Sequence, residues 1–262
     1  MSFFRRKRSS NSDSGEDGTV SEPKIFPDER IYAVGDIHGR DDLLLAMFEA
    51  IGNDITAHSD NRVARLVFLG DLIDRGDHSR NVLDIITKTI AAEKENNIIC
   101  LRGNHEQALL DFIRDPLVKR GWLQFGGLQT IGSYGLTAPR GRTSDAELTR
   151  LRDELKQAMG PHLDFLSTLP LSFRSGDVFF AHAGIDPARP LSDQSERALL
   201  WGKSSFLTED GLPGVKVVHG HYDSADVVST PGRICVDLGA YYSGCLCAVR
   251  LDDEVNVIKV TA

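Results

Sequence analysis

Residues 30–39 read RIYAVGDIHG: a short apolar run, then glycine, carboxylate, imidazole and glycine. Ile31, Tyr32, Ala33 and Val34 are strand formers, and the two glycines bracket a turn tight enough to aim Asp36 and His38 into one place. The same design recurs twice downstream. Residues 65–71, RLVFLGD, end on Asp71, and residues 97–106, NIICLRGNHE, end on an amide, an imidazole and a carboxylate in a row. Between these runs lie helical patterns. In DDLLLAMFEAIG the apolar residues Leu44, Met47, Phe48 and Ile51 recur at i, i+3, i+4 and i+7. In HSRNVLDIITKTIAAE, Val82, Ile85, Ile86 and Thr89 share a face, and HEQALLDFI follows the third run. Strand–helix alternation of this kind predicts a parallel sheet with crossover connections, an α/β fold with α+β character.

Two later runs end in the same way. VFF leads into His182 (AHAG) and KVV into the HGH of His219 and His221. In open α/β sheets ligands bind beyond the carboxyl ends of the strands, so five such ends can converge on one crevice. The converging set is Asp36, His38, Asp71, Asn104, His105, His182 and His221, which mixes carboxylate, imidazole and amide without cysteine. Those donors suit Mn²⁺, Fe or Zn²⁺ better than Ca²⁺ or an iron–sulfur cluster. A lone Asp-x-His is usually incidental, and a lone histidine is more often a hydrogen-bonded core residue than a ligand. Each fixed residue recurs by chance at roughly one position in twenty, so five multi-residue matches in order are not coincidence. His58 and His162 read as surface residues, and His78 as a residue near a helix start.

The rest of the chain bounds the problem. At 262 residues, 41% hydrophobic and 26% charged, with a net charge of −8, it suits one large domain and argues against nucleic-acid binding. No apolar run approaches a membrane span, and the basic N-terminal cluster has no apolar stretch after it, so a cytoplasmic, membrane-free monomer is expected. Residues 1–24 are polar and are expected to form a disordered tail ahead of a single domain over 25–262. Cys100, Cys235, Cys245 and Cys247 lack metal spacing and read as free thiols, the last two on one face of a strand. FGGLQTIGSYG (residues 125–135) reads as a glycine-rich loop without a phosphate-loop pattern, and SDAELTRLRDELKQAM as a helix. From Leu171 onward seven short strands follow, with mostly antiparallel pairing expected from their short connections.

GDIHG, GDLIDRG and GNHE in that order, with HAG and HGH after them, resemble the PPP-type phosphoprotein phosphatases of the calcineurin-like metallophosphoesterases. WLQFGGLQTIGSYG is similar to a segment of the compact bacterial and bacteriophage-lambda kind. The resemblance spans residues 30–250 and implies a central β-sandwich flanked by helices in αββα layers, with a dinuclear centre between the sheets. It implies that Asp36, His38 and Asp71 hold one divalent ion, and that Asp71, Asn104, His182 and His221 hold a second. It further implies that Arg75 contacts phosphate and that His105, oriented by Asp74, is the general acid. Manganese is the first expectation, with iron or zinc as alternatives. The chemistry is coherent. Two cations offset the charge of a phosphate dianion and activate a bridging water for in-line attack, a guanidinium fork grips phosphate oxygens, and an imidazolium protonates the leaving group. ALLWGKSSF places Lys203 where that group carries a phosphate-binding arginine. Either Lys203 makes this contact, or Arg102 or Arg197 does. Tyr222 stands where a threonine is common and is expected to alter the rim.

The implied activity is hydrolysis of phosphoserine and phosphothreonine in phosphoproteins or phosphopeptides, with phosphotyrosine as a further substrate. The alternatives are a symmetrical diadenosine tetraphosphate hydrolase, or another small-molecule phosphoesterase, on the same fold, and a degenerate phosphatase serving as a binding module.

Overall fold

A computed structural model describes residues 24–139, 141 and 143–262; the expected tail therefore lies, but for Lys24, outside the described residues. The predicted alternation is present: β1 (Glu29–Val34), α1 (Asp41–Ala57), β2 (Val63–Phe68), α2 (Ser79–Ala92), β3 (Ile98–Cys100) and α3 (Asn104–Arg114). β1 pairs in parallel with β2, and β2 with β3. A 3₁₀ turn (Arg120–Phe125), α4 (Gly127–Ser133), α5 (Asp145–Met159) and α6 (Pro161–Thr168) fill the middle. Residues 125–135 are thus mostly helical instead of the expected loop. The seven later strands all form: β4 (Ser172–Ser175), β5 (Val178–Ala181), β6 (Lys216–His219), β7 (Val228–Ser229), β8 (Arg233–Cys235), β9 (Cys245–Leu251) and β10 (Val255–Thr261). Three short helices interrupt them: α7 (Glu196–Trp201), α8 (Ser204–Glu209) and α9 (Ala240–Ser243).

Two five-stranded sheets result, in the orders β10-β9-β1-β2-β3 and β4-β5-β6-β8-β7. The expectation of mostly antiparallel pairing fails at the centre of the second sheet, where β5, β6 and β8 run parallel. The reason is connection length: α7 and α8 lie between β5 and β6, and β7 between β6 and β8, so neither pair is a hairpin. β9 and β10 leave the second sheet and complete the first, β9 lying antiparallel to β1.

Alternation along the strands makes the layers. Ile31 and Ala33 of β1 meet Val178 and Phe180 of β5, Val218 of β6, Ile234 of β8 and Cys247 of β9 between the sheets. Tyr32 and Val34 point the other way, under Leu43, Leu44 and Met47 of α1 and Val82 and Ile86 of α2. Phe179 and Ala181 face outward from the second sheet onto Leu199 and Phe206. The order is helix, sheet, sheet, helix, as the resemblance implied. Cys245 and Cys247 both face the sandwich, and Cys100, Cys235 and Cys247 are buried free thiols. At one end of the first sheet, Arg30 and Arg250 share Asp252, while Asp54 takes the Tyr32 hydroxyl at 2.7 Å and Arg250 at 3.0 Å. His58 is exposed, as expected, with Arg250 Nη1 2.9 Å from its Nε2, whereas His162 is half-buried with Nδ1 2.7 Å from the Tyr134 hydroxyl, so the surface expectation fails for His162. Among the described residues no helix is long and apolar enough to cross a membrane.

Phe180 is wholly buried between the sheets, against Phe173 at 5.6 Å between ring centres. Phe180→Ala is expected to lower the unfolding free energy by about 3–5 kcal/mol. Val257→Ala, on the half-exposed edge strand β10, should cost less than about 1 kcal/mol. Urea denaturation of the two variants checks the contrast; equal losses would refute this account of the core.

Candidate metal centre

The three parallel strands of the first sheet and the three of the second all deliver polar residues from their carboxyl ends. β1 leads to Asp36 and His38, β2 to Asp71 and β3 to Asn104 at the start of α3. β5 leads to His182, β6 to His221 and β8 to Asp237. Hydrogen bonds tie these strand ends together, within the first sheet and between the two sheets. The backbone N–H groups of Ile37 and His38 donate to Asp71 O, and His221 N–H donates to the Asp36 carboxylate at 3.2 Å. The approach is close enough that a Cβ at Gly103 would strike Asp71 Oδ1 and one at Gly220 would strike Asp36 Oδ1. Five of these residues, His38, Asp71, Asp74, Arg75 and His221, have positive φ, between 46° and 70°. Such backbone costs about 1–3 kcal/mol per residue and survives only where its surroundings enforce it.

Glu106 does much of that enforcement. Its wholly buried carboxylate accepts the N–H groups of Asp71 at 2.9 Å, Leu72 at 2.8 Å, Ile73 at 3.3 Å and Gly103 at 2.8 Å. Burial and the Asp71 charge push its carboxyl up to about 7, against the pull of these donors.

Donor atoms gather in two groups that share Asp71: His38, Asp71 and His105, and Asp71, His182 and His221, the ligand atoms of each lying within 4.8 Å of one another. Asn104 Oδ1 lies 2.8 Å from His182 Nε2 and 2.9 Å from His221 Nδ1. Of the ten predicted site residues, the structure brings Asp36, His38, Asp71, Asp74, Asn104, His105, His182 and His221 together. The first group holds His105 where the resemblance placed Asp36; the Asp36 carboxylate instead faces His221 N–H and Asp237. Arg75 is exposed above them. Lys203 is placed differently: its ammonium pairs with Asp186 at 3.2 Å. Arg102 is tied to Gln107 Oε1 and Ser167 O, away from the donors, and Arg197 lies exposed on α7. His78 is exposed at the start of α2, facing Asp41.

These residues fit divalent cations on their own evidence. A carbonyl can only accept, so His38 Nδ1 donates to Ile73 O at 2.9 Å and His182 Nδ1 to Leu69 O at 3.1 Å. In each ring Nε2 then carries the lone pair and points into the site, and His38 Nε2 is buried without a partner. Burial keeps both rings neutral, lowering His38 to about 3 despite Asp71 and lowering His182 as well; it takes His221 to about 4. Three carboxylates crowd the same space. Burial first, then Asp237 and Asp71, push Asp36 well above its ordinary value, and burial pushes Asp237 up to about 6. Burial opposes ionisation of Asp71 too, but the imidazoles of His182, His105 and His38 hold it well below the carboxylate range. Facing lone pairs and buried like charges are what a bound cation relieves.

His105 behaves oppositely to the other three. Burial would lower it, yet the carboxylates of Asp71 and Asp74 outweigh that and raise it. Its Nδ1 is 2.8 Å from Asp74 Oδ2, and its Nε2 faces Asp71 Oδ2 at 3.8 Å. Asp74 is itself held by Trp122 Nε1 at 2.7 Å and the Thr130 hydroxyl at 2.5 Å. Sequence reasoning missed Trp122, Thr130 and Asp237. Thr130 lies in the segment read as a loop, and Trp122 just before it. Asp237 had a signal, the sixth strand end VDLG, but an Asp-x-Gly after a strand is ordinary turn composition.

A two-sheet sandwich with histidine and aspartate donors at one edge is the architecture of a phosphoesterase, and the comparisons agree. Residues 29–245 match the model of the calcineurin-like phosphoesterases, and the chain belongs to that family. The asymmetrical bis(5′-nucleosyl)-tetraphosphatase of Bacillus subtilis is 27% identical over 248 residues, covering 87% of this chain and 92% of that protein. A serine/threonine-protein phosphatase of Arabidopsis thaliana is 35% identical, but over 97 residues, 37% of this chain and 9% of that protein. A solved structure of a candidate diadenosine tetraphosphatase superposes with a TM-score of 0.59 at 21% identity, covering 92% of this chain and 99% of that one, a likeness of fold.

Because Asp71 belongs to both donor groups, Asp71→Asn is expected to abolish binding of both divalent ions, whereas His182→Ala should spare about half of the bound metal. Metal analysis of the purified variants after equilibration with Mn²⁺ checks this; full metal content in Asp71→Asn would refute the shared-ligand reading.

Proposed function

We propose that this chain is a metal-dependent hydrolase of dinucleoside polyphosphates, cleaving a phosphoanhydride asymmetrically to a nucleoside triphosphate and a nucleoside monophosphate. The observation that carries it is the likeness to the asymmetrical tetraphosphatase over nearly the whole of both chains, against a likeness to the protein phosphatase over a minor part of each. A symmetrical tetraphosphatase, that of Dechloromonas aromatica, is 25% identical over 85% of this chain and 93% of that protein, so symmetrical cleavage is the near alternative, and phosphoprotein hydrolysis becomes the second reading.

In this proposal Asp36, His38 and Asp71 hold one divalent ion, and Asp71, Asn104, His182 and His221 the other. The ions, when bound, supply charge neutralisation for the polyphosphate and activation of water. Arg75 reaches over the donors and offers its fork to phosphate oxygens. His105, whose protonated form Asp71 and Asp74 favour, donates its Nε2 proton to the departing oxygen, while Asp74 fixes the ring through Nδ1. Water oxygen becomes bonded to phosphorus, and the bond to the bridging oxygen breaks. The opposite shifts of the histidines support this division, since neutral rings suit cations and a charged ring suits a leaving group. Lys203, paired with Asp186, is given no phosphate contact here.

The second reading rests on the His105–Asp74 pair, because an alkoxide leaving a phosphoserine needs a proton more than a departing nucleotide does. The two are separated by turnover of diadenosine tetraphosphate and of a phosphoserine peptide by Mn²⁺-loaded protein. The expected outcome is a higher kcat/KM for the dinucleotide, with ATP and AMP as products. A preference for the peptide, or two molecules of ADP, would overturn the proposal.

A general acid also has a measurable dependence on its leaving group. His105→Asn is expected to slow hydrolysis of an alkyl phosphate by about 10²–10⁴-fold and that of p-nitrophenyl phosphate, whose leaving group needs no proton, by far less. Asp74→Asn removes a carboxylate that raises His105, so the alkaline limb of kcat/KM should move to lower pH. Equal losses on both esters, or a limb that moves upward, would remove the acid role.

A further inference from the structure

Arg75 is a predicted phosphate contact whose guanidinium, among the described residues, has neither a hydrogen-bonding nor an ion-pairing partner. Only its backbone N–H is bonded, to Gly126 O. A flexible cationic side chain in that condition would be spread over many rotamers. It is instead stacked, its guanidinium carbon lying 5.0 Å from the ring centre of Tyr241. The Tyr241 ring is fixed independently of Arg75. It meets His38 edge-on at 5.5 Å between centres and Tyr242 at 5.0 Å. Its helix α9 lies between left-handed Gly239 and Gly244, is tied to Arg40 through Ala240 O at 2.9 Å, and is anchored by the Tyr242 hydroxyl on Asp223 at 2.5 Å.

We propose that Tyr241 is the positioning residue for Arg75: its ring holds the guanidinium by the flat face above the donor cluster and leaves the N–H edge unoccupied for phosphate. The proposal rests on the reading of Arg75 as the phosphate contact. A carboxylate would hold the arginine more firmly, but through the same N–H groups that phosphate needs; an aromatic face does not compete for them. The contact with His38 ties this placement to the donor group beneath it, so the clamp and the ions address one phosphate.

The experiment measures calorimetric affinity of the Mn²⁺-loaded protein for orthophosphate, together with kcat and KM on its substrate, in Tyr241→Phe, Tyr241→Leu, Arg75→Ala and the Arg75→Ala, Tyr241→Leu double variant. Tyr241→Leu is expected to weaken phosphate binding and raise KM by about two- to fivefold, the ratio equivalent to a 0.5–1 kcal/mol exposed cation–π contact at 1.4 kcal/mol per tenfold. kcat should change less than about twofold, Tyr241→Phe should match the unaltered protein, and Tyr241→Leu should have no further effect once Arg75 is alanine. If Tyr241→Leu does not fold, Tyr241→Met makes the same comparison. Normal affinity in Tyr241→Leu, equal weakening by Phe and Leu, or a Leu effect that persists without Arg75 would overturn the proposal. Arg75→Ala that binds phosphate normally would overturn the reading of Arg75 itself, and is distinguishable because it needs no change at Tyr241.

Discussion

One carboxylate sealed from water, Glu106, takes four backbone N–H groups from two segments, residues 71–73 after β2 and Gly103 after β3. Such hydrogen bonds contribute about 0.5–1.5 kcal/mol each, and a buried donor left without one costs about 1–3 kcal/mol. That sum is of the size needed to hold Asp71 in left-handed backbone, which costs about 1–3 kcal/mol, while Ser79 and Thr130 take the N–H of Asp74 and Gly126 O that of Arg75. The consequence is directional. With the chain turned this way, Asp71 presents one carboxylate to both donor groups, and the next turn sends Asp74 back under His105. Asn104 and His105 are neighbours in sequence, yet the first turn of α3 aims them at different partners, Asn104 at His182 and His105 at Asp74.

What the sequence disclosed divides along a physical line. Cation binding demands particular side-chain atoms, so Asp36, His38, Asp71, Asn104, His182 and His221 were legible as residue types at strand ends. Support can be supplied by many residue types, so it was not. Nothing in WLQFGGLQTIGSYG announces that an indole N–H and a threonine hydroxyl will both end on Asp74. Its four glycines argued for a loop, whereas α4 forms because Gly127 packs directly against the Trp122 ring and Gly126 supplies a left-handed start. Parallel pairing of β5, β6 and β8 was hidden for a related reason. Strand patterns report which face is buried, not which neighbour is beside it, and here helices too short to read as crossovers fill the connection.

Lys203 was assigned its expected role by position alone. Its site in ALLWGKSSF matched a segment where an arginine is expected, but Asp186, four residues past His182, claims the ammonium. That pairing lowers Asp186 below its ordinary value, the direction expected of a carboxylate stabilised by its partner. With Lys203 paired and Arg102 bound to Gln107 and Ser167, the proposed reading gives the cationic grip over the donors to Arg75. The placement of that one guanidinium then matters more than it would in a site with two.

The donor cluster itself does little to choose a substrate. Monoester and anhydride both present a phosphorus that needs charge neutralisation, an in-line water and a proton for the leaving oxygen, and in the proposed reading the same residues supply all three. Discrimination must therefore arise from elements that carry no donor: the 3₁₀ turn beside Arg75 with exposed Phe125, the Tyr222 ring against His221, and the tyrosine pair of α9. All are aromatic, and aromatic faces favour planar bases or rings over a flexible peptide backbone. A site that selected phosphopeptides would instead be expected to place polar groups there to satisfy backbone N–H and C=O groups. In the reading proposed above, these rings are where a base would rest, and they lie outside the strand-end motifs that define the family.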